Sequence, residues 1–380
     1  MVKILYFVII VSFLDTFIQL PIITPYAMEL GATHFMAGAI VAVYSFTNLI
    51  ANIFGGHWID LFGRKKVLFI GMLSGAVILF FYPFADTPEQ LFFIRFIHGI
   101  AGGVLIPAAF AYIGDQTRQE SRGRTMAWTG ACIGIAAIAG PAVGGIMAAR
   151  AQVDYVFWMV AILFLLSAAL ISFFIEESFK AGDRNKVSFS HFVSLLKQPL
   201  LVQASLAAFA LMVSNGTLAF ALPVKVGQLG LDSSTTGILL STFGIVAIII
   251  FVTPANLIFE RVRPIRLVIG GLVIIGVVHL LLHHTAALWF GFLLMAVYGI
   301  GFAMVFPSMN QIVSEVSSKV DRGKAYGIFY AFFSLGSVAG SMFSGASSQL
   351  FGLPFASSSA TLLGIVLLLI GLGRKYGDTV

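Results

Sequence analysis

The chain has 380 residues, of which 59% are hydrophobic and only 10% charged, and its mean hydropathy is +1.00. So few polar groups cannot cover the surface of a soluble domain of this length, which excludes a water-soluble fold and leaves a polytopic membrane protein. The formal charge of +6 does not point to nucleic acid, because the basic residues sit in short segments between apolar runs rather than on one face.

Twelve apolar stretches approach the ~20 residues a helix needs to cross a hydrocarbon core: 4–26, 35–55, 67–85, 91–113, 125–148, 155–175, 199–222, 235–256, 267–282, 286–308, 325–347 and 356–373. An even number puts both termini on one side. Nearly all of the 22 Lys and Arg fall at the termini or in alternate loops, the exceptions being Arg150 and Lys225 in the opposite loops and Arg95 within a span. That bias places both termini in the cytoplasm of a cell (inner) membrane protein. Met1 to Lys3 lead straight into apolar sequence with no small-residue cleavage site, so the first span is expected to be retained.

The first span carries Asp15, about 16 Å beyond Ile4 at ~1.5 Å per residue and therefore near mid-bilayer. With Arg95 in the fourth span it is one of two formal charges well inside the apolar runs, and intramembrane ionisable residues are functional candidates. Asp15, Arg95 and His98 form the candidate proton-coupling group, against the alternative of a purely structural ion pair. His98 lies on the helical face of Arg95, as a relay or as a hydrogen-bonded helix contact. Tyr44, Asn48 and Asn52 recur every four residues in the second span, and Gln203 and Asn215 lie in the seventh. They either line a polar path or tie helices together.

Between the second and third spans runs GHWIDLFGRKKVL, Gly56 to Leu68. Gly56 and Gly63 allow a tight reversal with positive φ, and Arg64, Lys65 and Lys66 mark the cytoplasmic side. Asp60 and Asp115 close the inner ends of the second and fourth spans, with Arg64 a candidate bidentate partner for Asp115. In the fifth span Gly140, Pro141, Gly144 and Gly145 put small residues on neighbouring turns, predicting close helix packing and a kink. The same span holds the single cysteine, Cys132, which can form no internal disulfide.

The segment 176–198 is the longest polar stretch and separates a six-span bundle over 1–175 from another over 199–380. Within it Phe189, Phe192, Val193 and Leu196 share one helical face, predicting an amphipathic interfacial helix. At an offset of 200 the halves match: Gly99 with Gly299, Pro107 with Pro307, Asp115 with Glu315, Arg122-Gly123-Arg124 with Arg322-Gly323-Lys324, and Gly140 and Gly145 with Gly340 and Gly345. Paired halves are a transporter's organisation, with the substrate site near the midplane. The counterparts of Asp15 and Arg95 are the uncharged Asn215 and Met295, so proton chemistry is expected in the first half.

The turn GHWIDLFGRKKVL resembles the loop motif of the major facilitator superfamily. The first span FLDTFIQLPIITPYAMELGA, the fourth-span LFFIRFIHGIAGG and the fifth-span GPAVGG narrow the resemblance to the twelve-span drug:proton antiporters. This implies an all-α fold of twelve transmembrane helices in two pseudo-symmetric bundles. It also implies that Gly56, Asp60, Gly63, Arg64, Lys65 and Asp115 form a cytoplasmic gate, and that Gly140, Pro141, Gly144 and Gly145 have a conformational role. Ala136 and His98 depart from the family pattern, which usually has glycine and glutamine there.

The expected function is a proton-coupled exporter of small amphiphilic molecules, working by alternating access. The expected partners are its small-molecule substrate, protons and the lipid bilayer, with no nucleic acid and a single chain as the unit. No nucleotide-binding loop, hydrolase elbow or zinc-protease helix occurs, so neither an enzyme nor a cofactor is expected. His279, His283 and His284 lack a neighbouring carboxylate or cysteine and carry no metal expectation. An uptake carrier for a sugar or organic acid, and a non-transporting receptor on the same scaffold, stay open as alternatives.

Overall fold

The computed structural model describes residues 2–116, 122–177, 198–317 and 322–375. All secondary structure there is helical. Eleven helices are long and apolar enough to cross a membrane, and the pair Lys3–Ile18 and Ile23–Glu29, bent by 47°, makes a twelfth span. The predicted amphipathic helix over 189–196 lies outside the described residues.

The chain divides into two compact units: 1–183 with 223–241, and 184–222 with 242–380. In the first, α1 (Val2–Ile18) and α2 (Ile23–Glu29) form the bent first span, followed by α3 (His34–Phe62) and α4 (Arg64–Phe81). The fourth span is also interrupted, α5 (Pro88–Gly103) giving way at Val104 to α6 (Leu105–Gln116). Pro107 cannot donate to the carbonyl of Gly103, and the Gly102-Gly103 pair weakens the helix just before it. The helices α7 (Arg122–Arg150) and α8 (Val153–Phe174) complete this run.

Local chemistry sets the ends. Thr33 caps α3 by accepting from the Met36 N–H at 3.2 Å. Thr87 caps α5 through the Gln90 N–H at 3.3 Å, Pro88 occupies the first turn, and the Gln90 side chain accepts from the Asp86 N–H at 2.7 Å. These caps fix where α5 starts, and therefore the depth at which Arg95 sits.

The later helices are α9 (Pro199–Gln228), α10 (Ser233–Val252), α11 (Pro264–His284), α12 (Leu288–Val316), α13 (Arg322–Phe351) and α14 (Pro354–Lys375). Pro223 to Ser241, spanning the end of α9 and the start of α10, belong to the first unit.

The repeat seen in the sequence reappears as equivalent packing inside each unit. A methyl group on Gly99 would strike the Tyr44 carbonyl of α3, and one on Gly299 would strike the Phe243 carbonyl of α10. Gly71 meets Leu105 as Gly271 meets Val305, and a Cβ at either glycine would fall 2.6 Å from the neighbouring side chain. Gly140 and Gly144 pack on α1 at Phe17 and Ile18, while Gly336 and Gly340 pack on α9 at Phe209 and Val213. In a bilayer, where lipid is as apolar as leucine, such backbone proximity is a main source of helix association.

Candidate functional site: a buried carboxylate in the first span

Asp15 lies in the last turn of α1 and is 1% exposed. Its Oδ1 accepts from the Gln19 side-chain amide at 2.7 Å. Its Oδ2 faces the Tyr44 hydroxyl at 3.5 Å and the His98 Nε2 at 3.4 Å. One carboxylate oxygen is thus tightly held, and the other has two looser neighbours.

Arg95 comes from α5, as the capping of that helix requires, but it does not touch Asp15 directly. Its guanidinium donates to the Gln19 Oε1 at 2.7 Å and to the Ile40 carbonyl at 2.8 Å, and its Cζ lies 5.0 Å from the Tyr44 ring centroid. The glutamine amide therefore bridges acid and base, donating to one and accepting from the other. Ion, donor and acceptor are all satisfied, which is what allows charge at this depth.

His98 completes the cluster. Its Nδ1 is 2.8 Å from the Tyr82 hydroxyl, and its ring meets those of Tyr44 and Tyr82 edge-on. Tyr82 is stacked on Phe157 of α8, and its carbonyl accepts from the Tyr26 hydroxyl at 2.9 Å. Asp15, Gln19, Tyr44, Tyr82, Arg95 and His98 thus form one buried network. Gln19 and Tyr82 were not identified in the sequence; the only signal for Gln19 was its i+4 spacing from Asp15.

Of the other candidates for a polar path, Asn48 accepts from the Asn52 side chain at 2.7 Å, and Asn48 packs where Gly102 and Gly103 bring α5 close. Gln203 belongs to the second unit, is fully buried, and has no hydrogen-bond partner at either end of its amide among the described residues. Asn215 follows Ser214, whose hydroxyl is 3.0 Å from His279 Nε2. The other ring nitrogen of His279 meets the Ser358 hydroxyl at 2.9 Å, and Ser214 donates to the Tyr298 hydroxyl at 2.9 Å. Hydroxyls occupy both nitrogens of this buried imidazole.

The side chains of Asp60 and Asp115 lie outside the described residues, and Gly56 continues the helix α3 instead of making the expected tight reversal. Gly63 turns the chain with φ +95°. The Glu177 carboxylate accepts from the Arg64 and Lys65 N–H groups at 2.9 and 3.4 Å, and Lys65 Nζ donates to the Ser172 carbonyl at 3.0 Å. An acid on the first turn of α4 and an amine on the last turn of α8 each meet the favourable end of a helix dipole. Glu177, read in the sequence only as part of the polar segment 176–198, caps this turn.

The glycines of the fifth span divide between two neighbours. Gly140 and Gly144 abut Phe17 and Ile18, between Asp15 and Gln19 in the chain, while Gly145 abuts Ser233 and Gly237 of α10. Ser241 reinforces the second contact by donating to the Ile138 carbonyl at 2.7 Å.

The sequence model of the Major Facilitator Superfamily matches residues 5–213 and 204–377, nearly the full chain. The chain belongs to the major facilitator superfamily. Multidrug resistance protein 1 of Bacillus subtilis (strain 168) is 26% identical over 365 residues, covering 94% of this chain and 92% of that protein. Multidrug resistance protein 2 of the same strain is 26% identical over 196 residues, an alignment spanning 50% of this chain and 49% of that protein. Among solved structures, a mutant of the peptide transporter POT in complex with sulfate superposes with a TM-score of 0.82 at 13% identity, covering 99% of this chain and 95% of that one. At that identity the likeness is one of fold. This member of the major facilitator superfamily is therefore an all-α, multi-pass transporter, and the buried carboxylate of Asp15 lies on the first helix of its first unit.

Proposed function

We propose that this transporter exchanges protons for small amphiphilic molecules, exporting them across the cytoplasmic membrane by alternating access, with both termini in the cytoplasm. The observation that carries the reading is the Asp15 network. A carboxylate buried in a span, with one oxygen fixed by Gln19 at 2.7 Å and the other only loosely approached, is suited to take up and release a proton at Oδ2. His98, at 3.4 Å from that oxygen, is the group placed to receive or return the proton.

The direction of export and the amphiphilic substrate class rest on relatives named for multidrug resistance, one of them aligned over 94% of this chain. The glycine contacts support the conformational half of the cycle. Since Gly140 and Gly144 seat α7 against Phe17 and Ile18, a change around Asp15 acts directly on the helix that also contacts α10.

The test is proton release from the detergent-solubilised protein on addition of a panel of amphiphilic cations and neutral compounds. Wild type is expected to release protons with its ligands, and Asp15→Asn to release none while still binding. Unchanged release in Asp15→Asn would falsify the assignment. Ligand accumulation in right-side-out vesicles instead of inverted ones would overturn the direction.

A further inference from the structure

Gln19 occupies an unusual position, between a buried acid and a buried base that do not touch. A guanidinium can only donate hydrogen bonds and a carboxylate ion can only accept them. The two together fix the amide in one orientation, with Nε2 toward Asp15 at 2.7 Å and Oε1 toward Arg95 at 2.7 Å. No ion pair links Asp15 to Arg95 among the described residues, so the short hydrogen-bonded path between them runs through this amide.

The backbone of the same residue opens the break in the first span. The Gln19 carbonyl accepts from both the Ile22 and Ile23 N–H groups, at 3.1 and 3.0 Å, and the chain bends by 47° between α1 and α2. Its side chain therefore reads the acid and base, and its main chain forms the hinge. Among the described residues, the ionisable side chains around Asp15 are Arg95 and His98 from α5, Tyr44 from α3 and Tyr82 after α4. From α7 the contact with α1 is made by Gly140 and Gly144, and from α8 the cluster meets the apolar ring of Phe157.

We propose that Gln19 is the positioning residue of proton coupling: its amide passes the charge state of Asp15 to Arg95 and to the break between α1 and α2. This rests on the reading of Asp15 as the proton carrier. The proton adds to and leaves Oδ2, on the side of Tyr44 and His98, and the Gln19 amide exchanges none. Protonation at Oδ2 removes the full charge that Oδ1 offers to Gln19 Nε2, which weakens that bond and with it the orientation Arg95 sees. The strain falls on the residue whose carbonyl organises the hinge.

The experiment is a double-mutant cycle on full-length protein, read by infrared titration of the protonated carboxyl band that Asp15→Asn removes, so no ligand is needed. Arg95→Met, which copies the second-half residue, is expected to displace the midpoint of that band by about one pH unit or more from its wild-type position. In Gln19→Met, or in the shorter Gln19→Asn if the first variant is unstable, the same Arg95→Met change is expected to displace it by less than about a third as much. Equal displacement in both backgrounds means that Arg95 acts on Asp15 directly and overturns the proposal. So does a loss of thermal stability in the Gln19 variants without any loss of this coupling. If no band sensitive to Asp15→Asn titrates at all, the reading of Asp15 fails first, a result distinct from failure at Gln19.

Discussion

The carboxylate of Glu177 seats itself on the backbone N–H of Arg64, 2.9 Å away and 113 residues apart in sequence. Beneath it lies Gly63 at φ +95°, where a side chain would both strain the backbone and collide with that carboxylate. The loop motif between the second and third spans is therefore locked to the end of the sixth through an acid on a helix N-terminus.

Glu177→Gln keeps an acceptor but loses the charge, and should lower stability by about 0.3–1 kcal/mol. Glu177→Ala should cost more, since two N–H groups lose their acceptor. Both should slow transport while leaving ligand affinity in detergent near wild type. Thermal melting and equilibrium binding on the same preparations decide this, and an affinity loss as large as the loss of transport would place Glu177 in the binding site instead.

Gly144→Ala should sharply reduce transport, because even one methyl group meets the Ile18 carbonyl. Gly130→Ala on the same helix has open space around it and should be tolerated, with a gain of up to about 1 kcal/mol from helix propensity. Vesicle transport and melting temperature of the two variants provide the comparison. Equal behaviour would remove the close-packing account of GPAVGG.

His279→Leu should destabilise the protein by about 1–3 kcal/mol, because it leaves Ser214 and Ser358 without their imidazole partner. Proton release on ligand binding should stay at the wild-type level, since the proposed coupling acid, Asp15, lies in the other half. Loss of proton release with intact folding would make His279 a second coupling group.

Gln203→Leu should raise thermal stability or leave it unchanged, since a fully buried amide with neither end hydrogen-bonded among the described residues is replaced by an apolar side chain of similar size. A concurrent fall in ligand affinity would place Gln203 on the polar path, whereas unchanged affinity would remove it from the path. A stability loss above about 2 kcal/mol would show instead that the amide is hydrogen-bonded.

The sequence alone determined the class of this protein. Bilayer thickness and the absence of water force long apolar helices, so the spans could be read from composition, and Gly, Pro or charge marked the breaks except after the ninth, where only His283, His284 and Thr285 interrupt the apolar run. The 200-residue repeat was equally legible, because glycines at helix contacts leave little choice of residue. Asp15, Arg95 and His98 stood out, since a charge or imidazole inside an apolar run is costly without a purpose. The structure alone decided who touches whom. The expected approach of Arg95 to Asp15 became an indirect link through Gln19, because the length of the Gln19 side chain and the bend after Ile18 place its amide between them. Glu177 looked like part of the polar linker over 176–198, and only the return of the sixth span to the turn at Gly63 made it a cap. Gly140 and Gly145 looked equivalent in sequence, yet they face different helices, because five residues along an α-helix rotate the side chain direction by more than a quarter turn.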